Sequence, residues 1–210
     1  FKPFAALWAL EKGKLLPEDT YLCHPDPNEP GSHMGGYKGV HCHSGYGHQD
    51  KGFGVDVPID LYSAIHVSCN VFFAHVGESL ETWDFQGLAD AFGFGEDTGI
   101  APEGTSGIVE HSFPALFDRD SPPGTSRMAL KDRMRAANGL SVVQATPVQL
   151  ARATAGLATG SLPSVRIVDR IGAMGEERPL YGPAPEPLPF SEGNLGIIRD
   201  AMAGVASLPA

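Results

Sequence analysis

Basic side chains are scarce in this chain: 15 lysines and arginines stand against 25 aspartates and glutamates, for a formal net charge of -10. A surface that acidic repels phosphate backbones, which excludes nucleic acid as the expected partner. Its ordinary use is to keep a surface hydrated. Long apolar runs are also missing. No stretch is long enough to cross a bilayer, and nothing resembles a signal peptide. Cysteine is sparse and odd in number, with Cys23, Cys42 and Cys69 only, a count that fits poorly with a closed disulfide framework. One disulfide plus a free thiol, three reduced thiols and a metal site are the readings left. There is no internal repeat and no low-complexity tract.

What is present suits one ordinary domain or part of a larger one, since the chain has 210 residues and 42% hydrophobic side chains. Glycine (26) and proline (18) make up about a fifth of it, which implies many turns and long connections. The first residues, Phe1-Lys2-Pro3-Phe4 onward, read as a helix already under way over 4–13 and capped by Gly13. Proline is tolerated only in a first turn, which puts the helix start just upstream of Phe1. The expectation is therefore a fragment, with any membrane anchor upstream. Residues 17–58 carry almost no periodicity and read as one long loop region rich in Gly, Pro, His and Asp. A loop that long is functional or tied down by something.

Helices are predicted over 60–66 and from Val71 to about Leu80, separated by Ser68-Cys69-Asn70. Another covers 85–92, with Phe85, Leu88, Ala89 and Phe92 at helical spacing, and Gly93-Phe94-Gly95 stops it. Residues 96–127 read mostly as loop, with Ser121-Pro122-Pro123-Gly124 as a strong breaker. Thr146-Pro147-Val148-Gln149 is a capping box with proline at the first helical position, opening a helix that ends at Gly160. Val165–Ile171 reads as a strand, 178–189 as a Pro-rich surface loop, and Leu195–Val205 as a final helix.

Two sites carry candidate chemistry. Ser68 and Asn70 lie two apart at a helix junction, where a hydroxyl and an amide can point into one cleft. The hydroxyl can relay a proton, and the amide can hold a peptide carbonyl or a lysine. By itself such a triplet is most often an ST-turn or a helix cap. Lys2 opens a helix; a lysine one turn after a serine shares its face, and partial desolvation lets it take the serine's proton. That Ser-x-x-Lys device activates the serine of penicillin-recognising enzymes. Here the serine position falls two residues before Phe1. Taken singly, Lys2 reads as an exposed lysine near a chain end.

The order of the segments resembles the transpeptidase domain of class B penicillin-binding proteins, nearest to the elongation type. Phe1–Phe4 with an Ala/Leu-rich helix resembles the start of that family's serine helix. Asp60–Phe73 resembles its second motif with flanks. Phe92-Gly93-Phe94-Gly95 followed by Thr98-Gly99-Ile100 is similar to its FGFG..TGI turn, and Ala145–Ala153 to its TPlQlArA helix. The likeness covers roughly 1–160, and more weakly to 205. It implies an α+β fold, an antiparallel sheet with helices on both faces. This chain would supply the helical-lobe portion, with most of the sheet outside it. The expected parts are a Cys/His-rich loop over 17–58, a helical part with the second motif over 59–160, and a strand, Pro-rich loop and final helix over 161–210.

The resemblance also implies a mechanism. A serine attacks the penultimate D-Ala carbonyl of a peptidoglycan stem peptide, D-Ala leaves, and an amine from a neighbouring stem resolves the acyl-enzyme into a cross-link. β-Lactams mimic the D-Ala-D-Ala end and trap that intermediate. Lys2 would be the activating base, Ser68 the proton shuttle to the leaving amine, and Asn70 the group that orients substrate and Lys2. A glycosyltransferase of the cell-wall machinery is the implied partner, and the periplasmic face of the bacterial inner membrane the implied location. The chain departs from the pattern in several places. The Lys-Thr/Ser-Gly motif is not in it, and Glu103-Gly104-Thr105-Ser106-Gly107 only partly matches an acidic-Gly stretch. The loop between His48 and Asp60 looks longer than usual. Asn138-Gly139-Leu140 stands where Gly-Gln-Gly is common. A serine β-lactamase or β-lactam sensor and a non-catalytic cell-wall scaffold are the alternative functions.

Cys23, Cys42, His48 and Cys69 offer a Cys3His donor set, which zinc favours, and all three cysteines are then used. The spacing is not that of a zinc finger. A metal would also hold the 17–58 loop. Some elongation-type relatives are similar at these positions, and in them the set is linked to zinc. The alternatives are a Cys23–Cys42 disulfide with Cys69 buried, and unlinked thiols. His24, His41 and His43 are nearby substitutes for His48, whereas His33, His66, His75 and His111 read as ordinary surface or core histidines.

Overall fold

A computed structural model describes residues 1–23, 34–45, 48, 58–96, 98, 128–140, 143–166, 168–179 and 182–206. Expectations that fall on His24, His33, His111, Gly99, Ile100, Glu103–Gly107 and Ser121–Gly124 lie outside the described residues, as does the side chain of His43. The chain divides into two compact units: one of residues 1–88, 114–143 and 190–210, the other of 89–113 and 144–189.

In the first unit, α1 (Lys2–Glu11) buries every residue from Phe4 to Leu10. A helix apolar on all sides needs neighbours on all sides. They are α2 (Leu61–His66), α3 (Asn70–Ser79), α5 (Leu130–Ala137) and α7 (Glu192–Val205). Phe1 is the N-cap of α1 and Pro3 sits in its first turn. Pro3 occupies the second helical position, where its missing N–H costs nothing. Gly13 adopts φ +63 just past the C-cap, the left-handed terminator its sequence position suggests.

Close crossings fix this packing. Gly77 of α3 lies where an added Cβ would stand 2.5 Å from the Arg133 carbonyl oxygen and 2.7 Å from the Met134 Cα of α5. On α4 (Thr82–Phe92), Gly87 gives the same room to the Trp8 ring. Asp84 anchors the α4 start: it accepts from Trp8 Nε1 (3.2 Å), Glu81 N (2.7 Å) and Lys14 Nζ (2.5 Å). Ser191 caps α7, and Glu11 accepts from the Ser191 N–H and hydroxyl and from Asn194 Nδ2, tying the end of α1 to that cap.

The reading of 17–58 as one loop is corrected. Three strands lie within it: β1 (Thr20–Leu22), β2 (Met34–Tyr37) and β3 (Val40–Gly45). β1 pairs antiparallel with β4 (Pro58–Asp60), and β2 with β3 as a hairpin. These strands show no alternation because tertiary contacts, not their own apolar faces, hold them. His75 of α3 stacks on Tyr21 (4.2 Å, 6°) and on Tyr37 (3.8 Å), and Tyr37 donates its hydroxyl to Glu78 at 2.5 Å. His75 and His66 are packing residues, as expected; His66 meets Tyr62 and lies against Gly204 of α7.

In the second unit, α6 (Pro147–Thr159) carries both halves of the predicted capping box, Gln149 N to Thr146 Oγ1 at 3.1 Å and Thr146 N to Gln149 Oε1 at 3.0 Å. Gly160 closes it at φ +79. β5 (Ser161–Leu162) pairs with β8 (Glu186–Pro187), and β6 (Arg170–Ile171) with β7 (Arg178–Pro179). The strand expected over 165–171 shrinks to its last two residues, which are exposed and lack a sheet face to cover.

Candidate active site

Three elements converge on one ammonium group. The first turn of α1 presents Lys2, the turn after α2 presents Ser68, and the first residue of α3 is Asn70. Lys2 Nζ donates to Asn70 Oδ1 (2.7 Å), to Ser68 Oγ (2.7 Å) and to the Ser68 carbonyl (2.9 Å). All three donors of the ammonium are thereby used. Burial pushes Lys2 below its ordinary value, while the Cys42 and Cys69 sulfurs work in the opposite direction. The residues paired by the family resemblance, 66 and 68 positions apart, are brought together.

Local strain makes the convergence possible. Ser68 has φ +53, a left-handed conformation that a residue with a Cβ rarely adopts and that costs on the order of 1–3 kcal/mol. This reversal ends α2, and Cys69 then caps α3, its sulfur accepting from Phe72 N at 3.4 Å. Successive residues point apart, so Cys69 is buried while Ser68 meets Lys2. Asn70 is held at both ends of its amide: Oδ1 accepts from the Lys2 ammonium, and Nδ2 donates to the His41 carbonyl of β3 at 2.8 Å. These two partners fix which end of the amide faces the lysine. A cavity of about 390 Å³ opens beside the trio, lined by Lys2, Ser68 and Asn138 among apolar residues of α1, α2 and α7. An ammonium, a hydroxyl and an amide around such a cleft can move a proton and orient a carbonyl.

Directly behind this turn lie the four predicted ligands. Cys23, Cys42, His48 and Cys69 are all buried, with donor atoms within 4.8 Å of one another. Cys42 Sγ is central, 3.4 Å from Cys23 Sγ, 3.6 Å from Cys69 Sγ and 3.4 Å from His48 Nε2; Cys23 Sγ to His48 Nε2 is 3.9 Å. Metal bonds of about 2.3 Å to sulfur and about 2.0 Å to nitrogen, at tetrahedral angles, put donors about 3.5–3.8 Å apart. The donor set and spacing fit zinc. None of the three cysteines is disulfide-bonded, and 3.4 Å between Cys23 and Cys42 is far from the roughly 2.05 Å of a disulfide. His48 reaches the cluster through a φ of +64. His41, a proposed substitute, is not among these clustered donors; its backbone carbonyl accepts from Asn70 Nδ2.

Two contributors escaped the sequence reading. The His41 carbonyl has no sequence signal, being a backbone atom. Asn138, at the end of α5, donates Nδ2 to the Asn70 carbonyl at 3.2 Å and to the Met134 carbonyl at 3.0 Å. The departure at Asn138-Gly139-Leu140 was the one hint.

Residues 1–209 match the model of the penicillin-binding protein transpeptidase domain. This chain belongs to that family. Solved structures agree in fold. Pseudomonas aeruginosa PBP2, crystallised with WCK 5153, is 22% identical at a TM-score of 0.72, over 98% of this chain and 43% of that one. The D,D-transpeptidase domain of an Eggerthella lenta peptidoglycan glycosyltransferase is 18% identical at 0.68, over 99% and 47%. Helicobacter pylori PBP2 is 20% identical at 0.60, over 95% and 32%. The transpeptidase chain therefore spans less than half the length of these structures. No curated protein matches it. The expected α+β architecture stands, with small antiparallel sheets among the helices.

Proposed function

We propose that this chain is the helical lobe of a serine D,D-transpeptidase that cross-links peptidoglycan and is acylated by penicillin. The observation that carries the reading is the trio of Lys2, Ser68 and Asn70, joined by hydrogen bonds of 2.7 Å. Lys2, partly desolvated, takes the proton of a serine positioned two residues before Phe1. Ser68 passes a proton toward the leaving amine. Asn70 holds the lysine and the substrate amide. In the neutral form Lys2 keeps a lone pair for the incoming proton, which is what its lowered value favours.

Cys23, Cys42, Cys69 and His48 would hold one zinc ion. Four protein ligands leave no open position, so the ion would supply structure and not chemistry. The protein that carries this chain would act on the extracytoplasmic face of the inner membrane. It would work with a glycosyltransferase of the cell-wall machinery; one matched structure is described as coordinating polymerization and crosslinking in a peptidoglycan synthase complex.

Fluorescent penicillin tests the reading. The full-length protein should label covalently and survive denaturation on a gel, while the 210-residue chain alone should not. Lys2→Ala in the full-length protein should slow acylation about 10²-fold or more, as for loss of a general base. Full-length protein that takes no label, or a Lys2→Ala variant acylated at the wild-type rate, would remove the proposal.

A further inference from the structure

Asn138 holds a part-buried amide that the mechanism above does not use. Its Nδ2 feeds two carbonyl oxygens, those of Asn70 and Met134. Only the NH2 end can donate to two carbonyls, so the amide cannot be flipped. Its Oδ1 is then buried with no hydrogen-bond partner among the described residues. An acceptor taken out of water and left unpaired is costly. A residue selected for packing alone would not bring one there, so the two Nδ2 bonds are what the amide contributes.

Those bonds join the last turn of α5 to the first residue of α3. The Asn70 carbonyl is held by Asn138, the Asn70 N–H by the Cys42 sulfur, the Asn70 Nδ2 by the His41 carbonyl, and Asn70 Oδ1 by Lys2. The Asn138 contact is the only one of these that comes from α5. Asn138 also lines the cavity that contains Lys2 and Ser68.

We infer that Asn138 is a positioning residue for acylation, acting through Asn70 by fixing its backbone from the α5 side. The inference rests on the transpeptidase reading. Asn138→Asp keeps the shape and replaces the two donors by an acceptor facing two carbonyls. Asn138→Ala removes the amide altogether.

A double-mutant cycle on the full-length protein separates positioning from general stability. The quantity is the second-order rate of acylation by fluorescent penicillin, measured on protein with a native thermal transition. Asn138→Asp and Asn138→Ala should each slow acylation about tenfold, as small misplacements in a site do. In an Asn70→Ala background, where no amide remains to be aimed, the same changes should cost less than about twofold. Equal losses in both backgrounds would overturn the inference, as would no loss in the wild-type background. Failure of both variants to fold would overturn it too, since that is the result of a packing role. Wild-type protein that takes no penicillin at all would instead overturn the transpeptidase reading on which this one rests.

Discussion

The backbone N–H of Asn70 donates to the Cys42 sulfur over 3.1 Å. One residue therefore belongs to both centres of the molecule: its side chain touches Lys2, and its main chain touches the proposed metal cluster. Cys69 adds a second link, since it lies between Ser68 and Asn70 and caps α3 with its sulfur.

The two links make the cysteines unequal. Cys23→Ala and Cys42→Ala each remove a proposed ligand, but Cys42→Ala also removes the acceptor of the Asn70 N–H. Acylation of the full-length protein should fall further for Cys42→Ala, by about fivefold, which corresponds to about 1 kcal/mol for one hydrogen bond. Equal penicillin acylation rates for the two variants would break this connection between cluster and cleft.

Lys2 sets the pH dependence of acylation. Burial holds its value below the ordinary lysine value, despite the opposing pull of Cys42 and Cys69. The base is the neutral form, so the rate should rise with pH through a midpoint below about 10.4. A pH–rate profile of penicillin acylation whose ascending limb sits above that value would contradict the desolvated environment.

Gly77 should tolerate no side chain. An added Cβ meets backbone atoms of α5 at 2.5 and 2.7 Å, which cannot swing away as a side-chain tip can. Gly77→Ala should destabilise by about 1–3 kcal/mol through overpacking. At Gly13 nothing lies within 4 Å, so alanine there should cost about 1 kcal/mol, from its positive φ alone. Chemical denaturation of both variants checks the order, and a Gly13 variant less stable than the Gly77 variant would reverse it.

Asp84 gives stability a sign with pH. Burial alone would push its carboxyl up, but the Lys14 ammonium, the Glu81 N–H and the Trp8 indole bring it below the ordinary aspartate value. A carboxylate depressed by folding stabilises above its unfolded value and loses that contribution as pH falls through the folded one. Wild type should therefore lose stability below about pH 4. Asp84→Asn should cost about 1–3 kcal/mol at neutral pH and remove that part of the acid sensitivity. Melting temperatures from pH 3 to 7 for both proteins would expose the opposite result, a variant as acid-sensitive as wild type.

Local grammar was legible in the sequence, and tertiary support was not. The Thr146–Gln149 capping box and the Gly160 stop involve residues a few positions apart, so their signal survives in the linear string. The Lys2–Ser68–Asn70 trio was readable only because the family pattern supplies its spacing; no physical rule joins positions 66 apart. α5 escaped notice because Leu130-Lys131-Asp132-Arg133-Met134-Arg135 is mostly charged and only Met134, Ala136 and Ala137 are buried. The β2–β3 hairpin, rich in Gly and His, is held by the His75 stack and by Cys42 at the cluster. Neither support shows in β-propensity. His48 lies with the three cysteines, and its positive φ explains how a residue just six positions after Cys42 can turn back to it.

The link between the metal cluster and the acylation cleft is tested by one coupled measurement. Full-length protein purified without added metal is analysed for zinc, and its penicillin acylation rate is followed as the metal is removed by chelation and then restored. The account predicts about one zinc per chain, a rate that falls tenfold or more on removal, since structural zinc is worth on the order of 10 kcal/mol to a small site, and recovery on adding zinc back. Less than about a tenth of an equivalent of zinc, or metal-free protein that acylates at the full rate, would contradict it.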